Sequence, residues 1–291
     1  LTRMERHPGT NTGKVIKFKD MPPGRKATYT RIVVTDRPKK AQPRRVRMTV
    51  GGDRIDYPYE VTTKTSDMIT SKMLFNSVIS TKNGRFMGID IKDFYLNTKL
   101  LRCEYIRISI DVIPQEFIGK YNLMDFVHNG YIYIEVSKGM YGLPQAGRVA
   151  SDELIPRLED AGYMRARTTP GLFKHKTNSV VFCLTVDDFG VQYTLKEGAS
   201  DPREDAIHLR DTLKKFYPIT EDWTGATFCG LHLDWDYANG TVDLSMPNYV
   251  AKALQRFQHP TPDLPEHAPH DWIQPTYGST QPQPPTNNNA T

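Results

Sequence analysis

Short runs of β-branched and aromatic residues alternate with turn residues in the first third of the chain. The runs at 29–34 and 46–50 predict a small antiparallel basic sheet, with Gly51-Gly52-Asp53 as its turn. Apolar residues recur at helical spacing over 66–81 and predict a helix with one apolar stripe, and a strand is expected at 86–91.

The remaining two thirds of the chain mix both kinds of pattern. Strands are predicted at 104–110, 131–136 and 180–186, helices over 147–161 and 204–216, a hairpin over 228–245 and a short helix over 248–257. From His259 onward, proline is frequent and no apolar period survives. The pattern therefore predicts a folded body followed by a Pro-rich tail.

Composition is typical of a soluble globular protein. The mean hydropathy is −0.54 over 291 residues, and no run of eighteen apolar residues predicts a spanning helix. The start, Leu1 to Arg6, lacks the apolar core of a signal peptide and has no initiator Met, so a fragment of a longer product is expected. Cys103, Cys183 and Cys229 are too widely spaced to indicate a disulfide framework or a zinc site, and an intracellular protein is expected.

Positive charge is concentrated near the start of the chain. Residues 14–47 contain twelve Lys or Arg and two Asp, although the net charge of the whole chain is only +5. Such a segment favours a polyanionic partner, because basic residues that reach phosphates release condensed counterions. A solvated face or a basic linker is the alternative.

Acidic residues end two of the predicted strands. Asp187 and Asp188 follow the apolar run at 180–186, and Asp90 lies in a second short apolar strand. Because neighbouring carboxylates repel one another unless a cation compensates, acids at two strand ends fit an Mg²⁺ site. A solvated turn is the alternative for the aspartate pair. Asp93 is expected to cap a helix rather than to bind metal.

Four blocks of the sequence between residues 89 and 233 form a recognisable series. They are Ile89–Asn97, Lys138–Ala146, Val186–Asp188 and Phe228–Leu233. In this order and at these spacings, they resemble the reverse transcriptase motifs of copia-type (Ty1/copia) LTR retrotransposon polyproteins. The resemblance extends over about residues 15–257, and four ordered blocks are more specific than any single motif.

The resemblance implies a metal site. Asp90, Asp187 and Asp188 match the three catalytic carboxylates of the family, and Ile91 would add its backbone carbonyl as a ligand. Two Mg²⁺ ions are the implied cofactor, with Mn²⁺ able to substitute.

The resemblance also implies substrate contacts. Tyr95 matches the aromatic residue that excludes a 2′-hydroxyl, Gln145 matches a glutamine that contacts the incoming nucleotide, and Arg47 resembles an arginine beside the triphosphate. A core tyrosine and a surface glutamine are the alternatives for the first two, and Arg44 or Arg45 could replace Arg47. The implied nucleic-acid contacts are Lys39, Lys40, Arg44, Arg45, Phe228 and Gly230.

Three positions depart from the family pattern. Thr185 replaces an aromatic residue, residues 147–150 (Gly-Arg-Val-Ala) replace Pro-Arg-Ala-Trp, and Thr220 stands where a lysine is frequent. The last change removes the expected proton donor for pyrophosphate, for which Lys214 or Lys215 could substitute. None of these changes removes a metal ligand.

The implied fold is α+β, a right-hand polymerase with an antiparallel palm sheet. The expected parts are a flexible segment (1–14), fingers (15–85 and 112–150), a palm (86–111 and 151–235), a partial thumb (236–262) and a Pro-rich linker or disordered tail (263–291).

The implied activity is RNA-directed DNA synthesis from dNTPs on an RNA template and a DNA primer, with no membrane partner. Integrase and ribonuclease H would lie elsewhere in the polyprotein of the transposable element, and the location would be a cytoplasmic virus-like particle or the nucleus. Two alternatives remain open: a decayed remnant that only binds nucleic acid, and a nucleotidyl transferase or cyclase that needs no template.

Overall fold

The computed structural model of the protein describes residues 11–36, 44–247 and 249–258. The strands in chain order are β1 (Gly13–Ile16), β2 (Thr28–Asp36), β3 (Arg44–Val50), β4 (Gly84–Ile91), β5 (Lys99–Ser109), β6 (Tyr131–Lys138), β7 (Tyr163–Arg165), β8 (Leu172–His175), β9 (Val181–Thr185), β10 (Asp188–Thr194), β11 (Ile219–Asp222), β12 (Thr227–Phe228), β13 (Leu231–Asp236) and β14 (Thr241–Ser245). The described α-helices are α1 (Met68–Ser80), α2 (Gln115–Lys120), α3 (Ala146–Asp160), α4 (Glu204–Lys214) and α5 (Tyr249–Arg256).

A six-stranded antiparallel sheet carries the predicted acidic residues. Its strand order is β11-β4-β10-β9-β8-β7. Four of its strands alternate with two helices along the chain as β4-α3-β9-β10-α4-β11, and their order in the sheet is that of a split βαβ fold. This topology makes β4 and β10 neighbours in the interior of the sheet.

The two faces of this sheet pack against different helices, because successive side chains along a strand point to opposite faces. On β4, three buried residues share a core cluster with α3 and α4: Met87, Ile89 and Ile91. Phe86 lies on the other face, where its ring contacts Phe75 of α1 edge-on at 5.3 Å. Gly88 and Asp90 therefore share the α1 face with Phe86.

Helix α1 confirms the helix predicted over 66–81. The Asp67 carboxylate accepts a hydrogen bond from the Thr70 N–H at 2.7 Å and caps the first turn. Leu74, Phe75 and Val78 form the buried stripe of this helix. The helix thus covers the sheet face that carries Asp90.

A five-stranded sheet of order β1-β6-β5-β2-β3 forms the second layer of the main unit. Its pairings are antiparallel except for a short parallel contact between β2 and β5. Ile106, Ile134 and Val136 form the centre of its core. The β2–β3 pairing confirms the antiparallel basic strands predicted near the start of the chain.

Strands β12, β13 and β14 form a three-stranded antiparallel sheet. Phe228, Leu231 and Leu233 are buried in the cluster that contains Phe75 and Phe86. The small sheet therefore shares the core on the α1 side of the six-stranded sheet.

The α+β class with several antiparallel sheets is confirmed, but two elements lie across the expected fingers–palm boundary. Strand β5, expected in the palm, pairs with β6 and β2. Helix α1, expected in the fingers, packs on the face of β4. Strand pairing joins residues that are distant in the sequence, so chain order alone does not give these partners.

Three further boundaries change. Gly52–Arg54 forms a 3-10 turn after β3, so it does not connect β3 to β2 as predicted; that connection lies outside the described residues. Gly13 and Lys14 already pair with β6, so the expected flexible segment ends before them. The chain divides into units after Ser245, which leaves β14 in the first unit and α5, described by itself, in the second. The tail at 263–291 lies outside the described residues.

Candidate functional site: three aspartates at a strand end

Asp90 and Asp188 lie directly opposite each other on neighbouring strands. Asp188 is the register partner of Asp90 in the β10–β4 ladder. Directly opposite residues point to the same face, with Cβ atoms about 4.5–5.5 Å apart, and like charges in such a pair are destabilising. The fold thus brings together two carboxylates that are separated by almost a hundred residues in the sequence.

Asp187 lies in the two-residue turn that joins β9 to β10. Val186, the first residue of this turn, has a φ of +61°, which is an unfavourable conformation for a β-branched residue. The Asp187 carbonyl accepts a hydrogen bond from the Ile91 N–H at 3.0 Å. This bond fixes the strained turn to the end of β4, and therefore fixes Asp187 beside Asp90.

Ile91 and Asp93 lie at the same strand end. The Ile91 side chain is buried, while its backbone continues the ladder opposite Ile219. Asp93 occupies the position before a 3-10 helix, at a φ of +51°, but its side chain makes no capping hydrogen bond. Asp93 therefore occupies the predicted N-cap position without the side-chain hydrogen bond of a cap.

The three carboxylates interact electrostatically. Burial, and then the charges of Asp187 and Asp90, raise the pKa of Asp188 from 3.8 to about 6. The folded protein therefore disfavours three ionised carboxylates in this place. A bound cation would reverse that preference, because an opposite charge favours the ionised forms.

Replacing Asp188 by asparagine should stabilise the metal-free protein at pH 8 and not at pH 4. A raised folded pKa means that the folded state prefers protonated Asp188, so stability is lost as pH rises from about 4 through about 6. The expected gain in unfolding free energy at pH 8 is on the order of 2 kcal/mol, measured by urea denaturation in EDTA.

Asp243→Asn is the matched control for this experiment. Asp243 faces Asp234 across the β13–β14 ladder, but both residues are exposed. Its replacement should change stability by less than about 0.5 kcal/mol at either pH. A gain for Asp188→Asn that is equal at both pH values would contradict the raised pKa.

Two departures from the family pattern lie in the same row as the acids. Thr220 is the register partner of Asp90, and Thr185 is the register partner of Asp188. The row across four strands is therefore Thr220, Asp90, Asp188 and Thr185. The Thr185 hydroxyl is 2.9 Å from the Ser66 hydroxyl, which ties the segment before α1 to the row.

Lys214 does not substitute for a lysine at position 220. Its ammonium group pairs with Glu221 at 2.5 Å, and Glu221 lies opposite Ile89, whose side chain faces the helices. Lys214 is therefore on the opposite face of the sheet from Asp90. Lys215 directly follows α4, the helix that packs on the sheet face opposite Asp90.

Tyr95 lies close to the acidic residues. Its ring contacts the Tyr141 ring edge-on at 5.3 Å, and both side chains are partly buried. Burial, and then the charge of Asp187, raise the pKa of Tyr95. Gly139 allows the close approach of Tyr95, because a Cβ at that glycine would come within 2.5 Å of the Tyr95 carbonyl oxygen.

Arg47 reaches the same aromatic group from the five-stranded sheet. Its guanidinium lies 4.9 Å from the centre of the Tyr141 ring, within cation–π range. The Arg47 Nε is buried without a hydrogen-bond partner. The structure therefore links Arg47, Tyr141 and Tyr95 by contacts, and the charge of Asp187 acts on Tyr95.

Gln145 is buried in a charged network instead of lying on the surface. Its side-chain amide donates to Glu104 at 3.0 Å, and Glu104 also pairs with Arg25 at 2.7 Å and Arg102 at 3.0 Å. The Gln145 Oε1 is buried and has no hydrogen-bond partner. The surface-loop alternative for Gln145 is therefore wrong, and a nucleotide contact remains a prediction.

The turn after β12 lies near Asp187 and Asp188, but Phe228, which was predicted to contact nucleic acid, is buried in the core. The Phe228 ring is buried against Phe86 and Gly190, so this side chain is unavailable to a nucleic acid. Gly230 is exposed at a φ of +84°. Cys229 is exposed, yet partial enclosure of its thiol and the charges of Asp188 and Asp187 raise its pKa to about 11 against the opposing effect of a Thr185 hydrogen bond. Cys229 is thus a neighbour of the site, in a sequence block that implied no role for its thiol.

Two of the four basic residues predicted to contact nucleic acid belong to β3. Lys39 and Lys40 lie outside the described residues; Arg44 and Arg45 begin β3, and their side chains are likewise outside the description. Converting all four to glutamine should flatten the plot of log K against log salt by about 0.7–0.9 for each phosphate that the protein no longer neutralises.

The control for this measurement is a quadruple variant at the β7 edge of the six-stranded sheet. Arg165, Arg167, Lys174 and Lys176 lie on or near β7 and β8, and neutralising them should leave the salt slope unchanged. If both quadruple variants change the slope equally, the basic segment at 14–47 has no special role in binding.

No family model matches the sequence, and no curated protein matches it significantly. Among the described residues, no three or more His, Cys, Asp or Glu side chains are gathered into a group that could hold a metal ion. Within the same residues, every helix is too short or too polar to cross a membrane.

Proposed function

We propose that this chain is a templated DNA polymerase of the reverse transcriptase type. The observation that carries this proposal is the directly opposed pair Asp90 and Asp188, with Asp187 in the adjoining strained turn. Carboxylates whose mutual charge raises a pKa, as Asp187 and Asp90 do for the partly buried Asp188, are expected where the function requires a cation. The order of the four sequence blocks supports the same proposal.

The two main sheets support a right-hand architecture. In this proposal the six-stranded sheet is the palm, and the five-stranded sheet with the β2–β3 hairpin forms the fingers. Arg47 and Tyr141 belong to the fingers side, while Asp90 and Asp187 belong to the palm. The chain of contacts through Tyr95 then joins the nucleotide-binding side to the catalytic side.

The donor types suit Mg²⁺, which prefers carboxylate oxygens together with substrate phosphates, although among the described residues no three such side chains are gathered closely enough to hold an ion. Asp90, Asp187, Asp188 and the Ile91 carbonyl would hold the ions, and the repulsion that raises the pKa of Asp188 would be relieved by them. The bound ions would supply charge neutralisation and activation of the primer hydroxyl.

In the proposed reaction, the primer 3′-oxygen forms a bond to the α-phosphorus of a dNTP, and the bond to pyrophosphate breaks. The residues of this chain contribute mainly positioning. Arg47 is assigned to the triphosphate and Tyr95 to the face of the sugar. Gln145 donates to Glu104 and is buried, so a contact between its unpaired Oε1 and the nucleotide would require the loop around it to open.

A nucleic-acid-binding remnant without catalysis is the second candidate. Thr220 in the row of acids, and Lys214 on the other face of the sheet, leave the reaction without an evident lysine proton donor. This candidate shares the basic segment and the fold with the polymerase, and differs only in catalysis. A template-independent nucleotidyl transferase is the third.

Primer extension separates the three candidates. Purified protein with poly(rA)/oligo(dT), dTTP and Mg²⁺ should incorporate dTMP, and omission of the template or addition of EDTA should stop the incorporation. Incorporation without template would favour the transferase. Salt-dependent binding of the duplex without any incorporation would favour the remnant.

A further inference from the structure

Tyr141 contacts two of the residues that the proposal assigns to the incoming nucleotide, Arg47 and Tyr95. One side of its ring lies 4.9 Å from the Arg47 guanidinium, and the Tyr95 ring approaches edge-on at 5.3 Å and an interplanar angle of 68°. Both geometries fall within the ranges of favourable cation–π and aromatic contacts. The ring of Tyr141 therefore joins Arg47, assigned to the triphosphate, to Tyr95, assigned to the sugar.

Backbone contacts hold the segment of Tyr141 against the end of β3. The Val50 N–H, at the end of β3, donates to the Tyr141 carbonyl at 2.8 Å. Gly142 follows at a φ of +94°, and a Cβ there would collide with the Val50 backbone. A Cβ at Gly52 would likewise collide with the Gly142 carbonyl. The loop of Tyr141 and the end of β3 therefore approach each other more closely than residues with side chains could.

We infer that Tyr141 is a positioning residue that couples triphosphate binding by Arg47 to sugar selection by Tyr95; this inference rests on the proposed function. Arg47 is on β3 and Tyr95 follows β4, and the ring of Tyr141 contacts both. Removing the ring should release both residues together. A merely structural ring would affect stability without affecting the choice between nucleotides.

The test compares dTTP and UTP on poly(rA)/oligo(dT) with Mg²⁺. For Tyr141→Leu, we expect the KM for dTTP to rise roughly tenfold and the ratio of kcat/KM for UTP to that for dTTP to rise by a similar factor. Tyr141→Phe keeps the ring, so its KM for dTTP and its UTP to dTTP ratio should equal those of the wild type. Tyr141→Met fills a similar volume without an aromatic face, and decides the question if the leucine variant does not fold.

A double-mutant cycle with Arg47→Ala tests the coupling. If the ring acts through Arg47, then adding Tyr141→Leu to Arg47→Ala should raise the KM for dTTP by less than about twofold further. The matched control is Tyr121→Leu, which removes a partly buried ring that stacks on Phe117 in the core of the five-stranded sheet. It should lower thermal stability and leave the UTP to dTTP ratio unchanged.

The outcomes separate this inference from the proposed function. If the wild-type protein incorporates dTMP, two results would overturn the role of Tyr141 alone. One is a Tyr141→Leu variant with an unchanged KM and an unchanged UTP to dTTP ratio. The other is fully additive effects of Tyr141→Leu and Arg47→Ala on the KM. Folded wild-type protein that incorporates nothing would overturn the proposed function and this role with it.

Discussion

Replacing Asp187 by asparagine should reduce templated incorporation of dTMP by at least about 10³-fold, because the change removes charge stabilisation worth several kcal/mol. The variant should remain folded. The hydrogen bond from Ile91 reaches the Asp187 backbone carbonyl, which asparagine retains. Loss of the charge also relieves repulsion of Asp188, so the stability of the metal-free protein should hold or rise slightly.

Asp243→Asn provides the matched control for the loss of activity. Like Asp187→Asn, it removes one carboxylate beside another, but in the β13–β14 hairpin, and it should leave incorporation at the wild-type level. Titration of Asp188 by NMR supplies an independent measurement: its pKa should fall in Asp187→Asn, because the charge that raised it is gone. An Asp187→Asn variant that extends primers at nearly the wild-type rate would exclude Asp187 as a metal ligand.

Local patterns in the sequence were sufficient to predict the individual elements near the site. The apolar spacing over 66–81 predicted α1, whose cap at Asp67 and buried stripe follow from adjacent residues. The apolar run before Asp187 predicted β9, and the turn at Asp187 follows directly from it. The periodicity of apolar residues is a local property, so it identifies an element that buries the same face along its whole length.

The pairing of Asp90 with Asp188 could not be read from the sequence. Their register depends on how β10 aligns with β4, and a shift by one residue would place the carboxylates on opposite faces. The side of the sheet on which Lys214 lies likewise depends on a strand register, that of β11 with β4. Lys214 is close to position 220 in the sequence, but its partner Glu221 pairs with Ile89, so Lys214 lies on the other face of the sheet from Asp90.

Burial of polar and aromatic side chains was also hidden from the sequence. Gln145 follows a Pro-containing turn, which suggested a surface position, but Glu104 on β5 accepts its amide hydrogen bond inside the core. Phe228 matched a family block that contacts nucleic acid, yet the absence of a side chain at Gly190 leaves room for its ring. Each outcome depends on a partner from a distant strand.

Replacing Tyr95 by valine should raise the ratio of kcat/KM for UTP to that for dTTP on the order of 10²-fold. The ring is held by Tyr141 at 5.3 Å and lies near the charge of Asp187, so it can stand against the sugar of a nucleotide that is bound at the acids. Exclusion by collision affects only the substrate that carries the 2′-hydroxyl. Trimming the ring should therefore increase UTP use more than it decreases dTTP use.

An ordinary core tyrosine would give a different result, because Tyr95 also packs against both main core clusters. In that case Tyr95→Val would lower thermal stability through a cavity and leave the nucleotide ratio unchanged. Tyr95→Phe keeps the ring and should keep the discrimination. Tyr217→Val removes another tyrosine that contacts Phe94 in the same cluster, and should reproduce the loss of stability without any change in ratio. A ratio that changes in Tyr95→Val and in neither control would assign the exclusion of ribonucleotides to the ring of Tyr95.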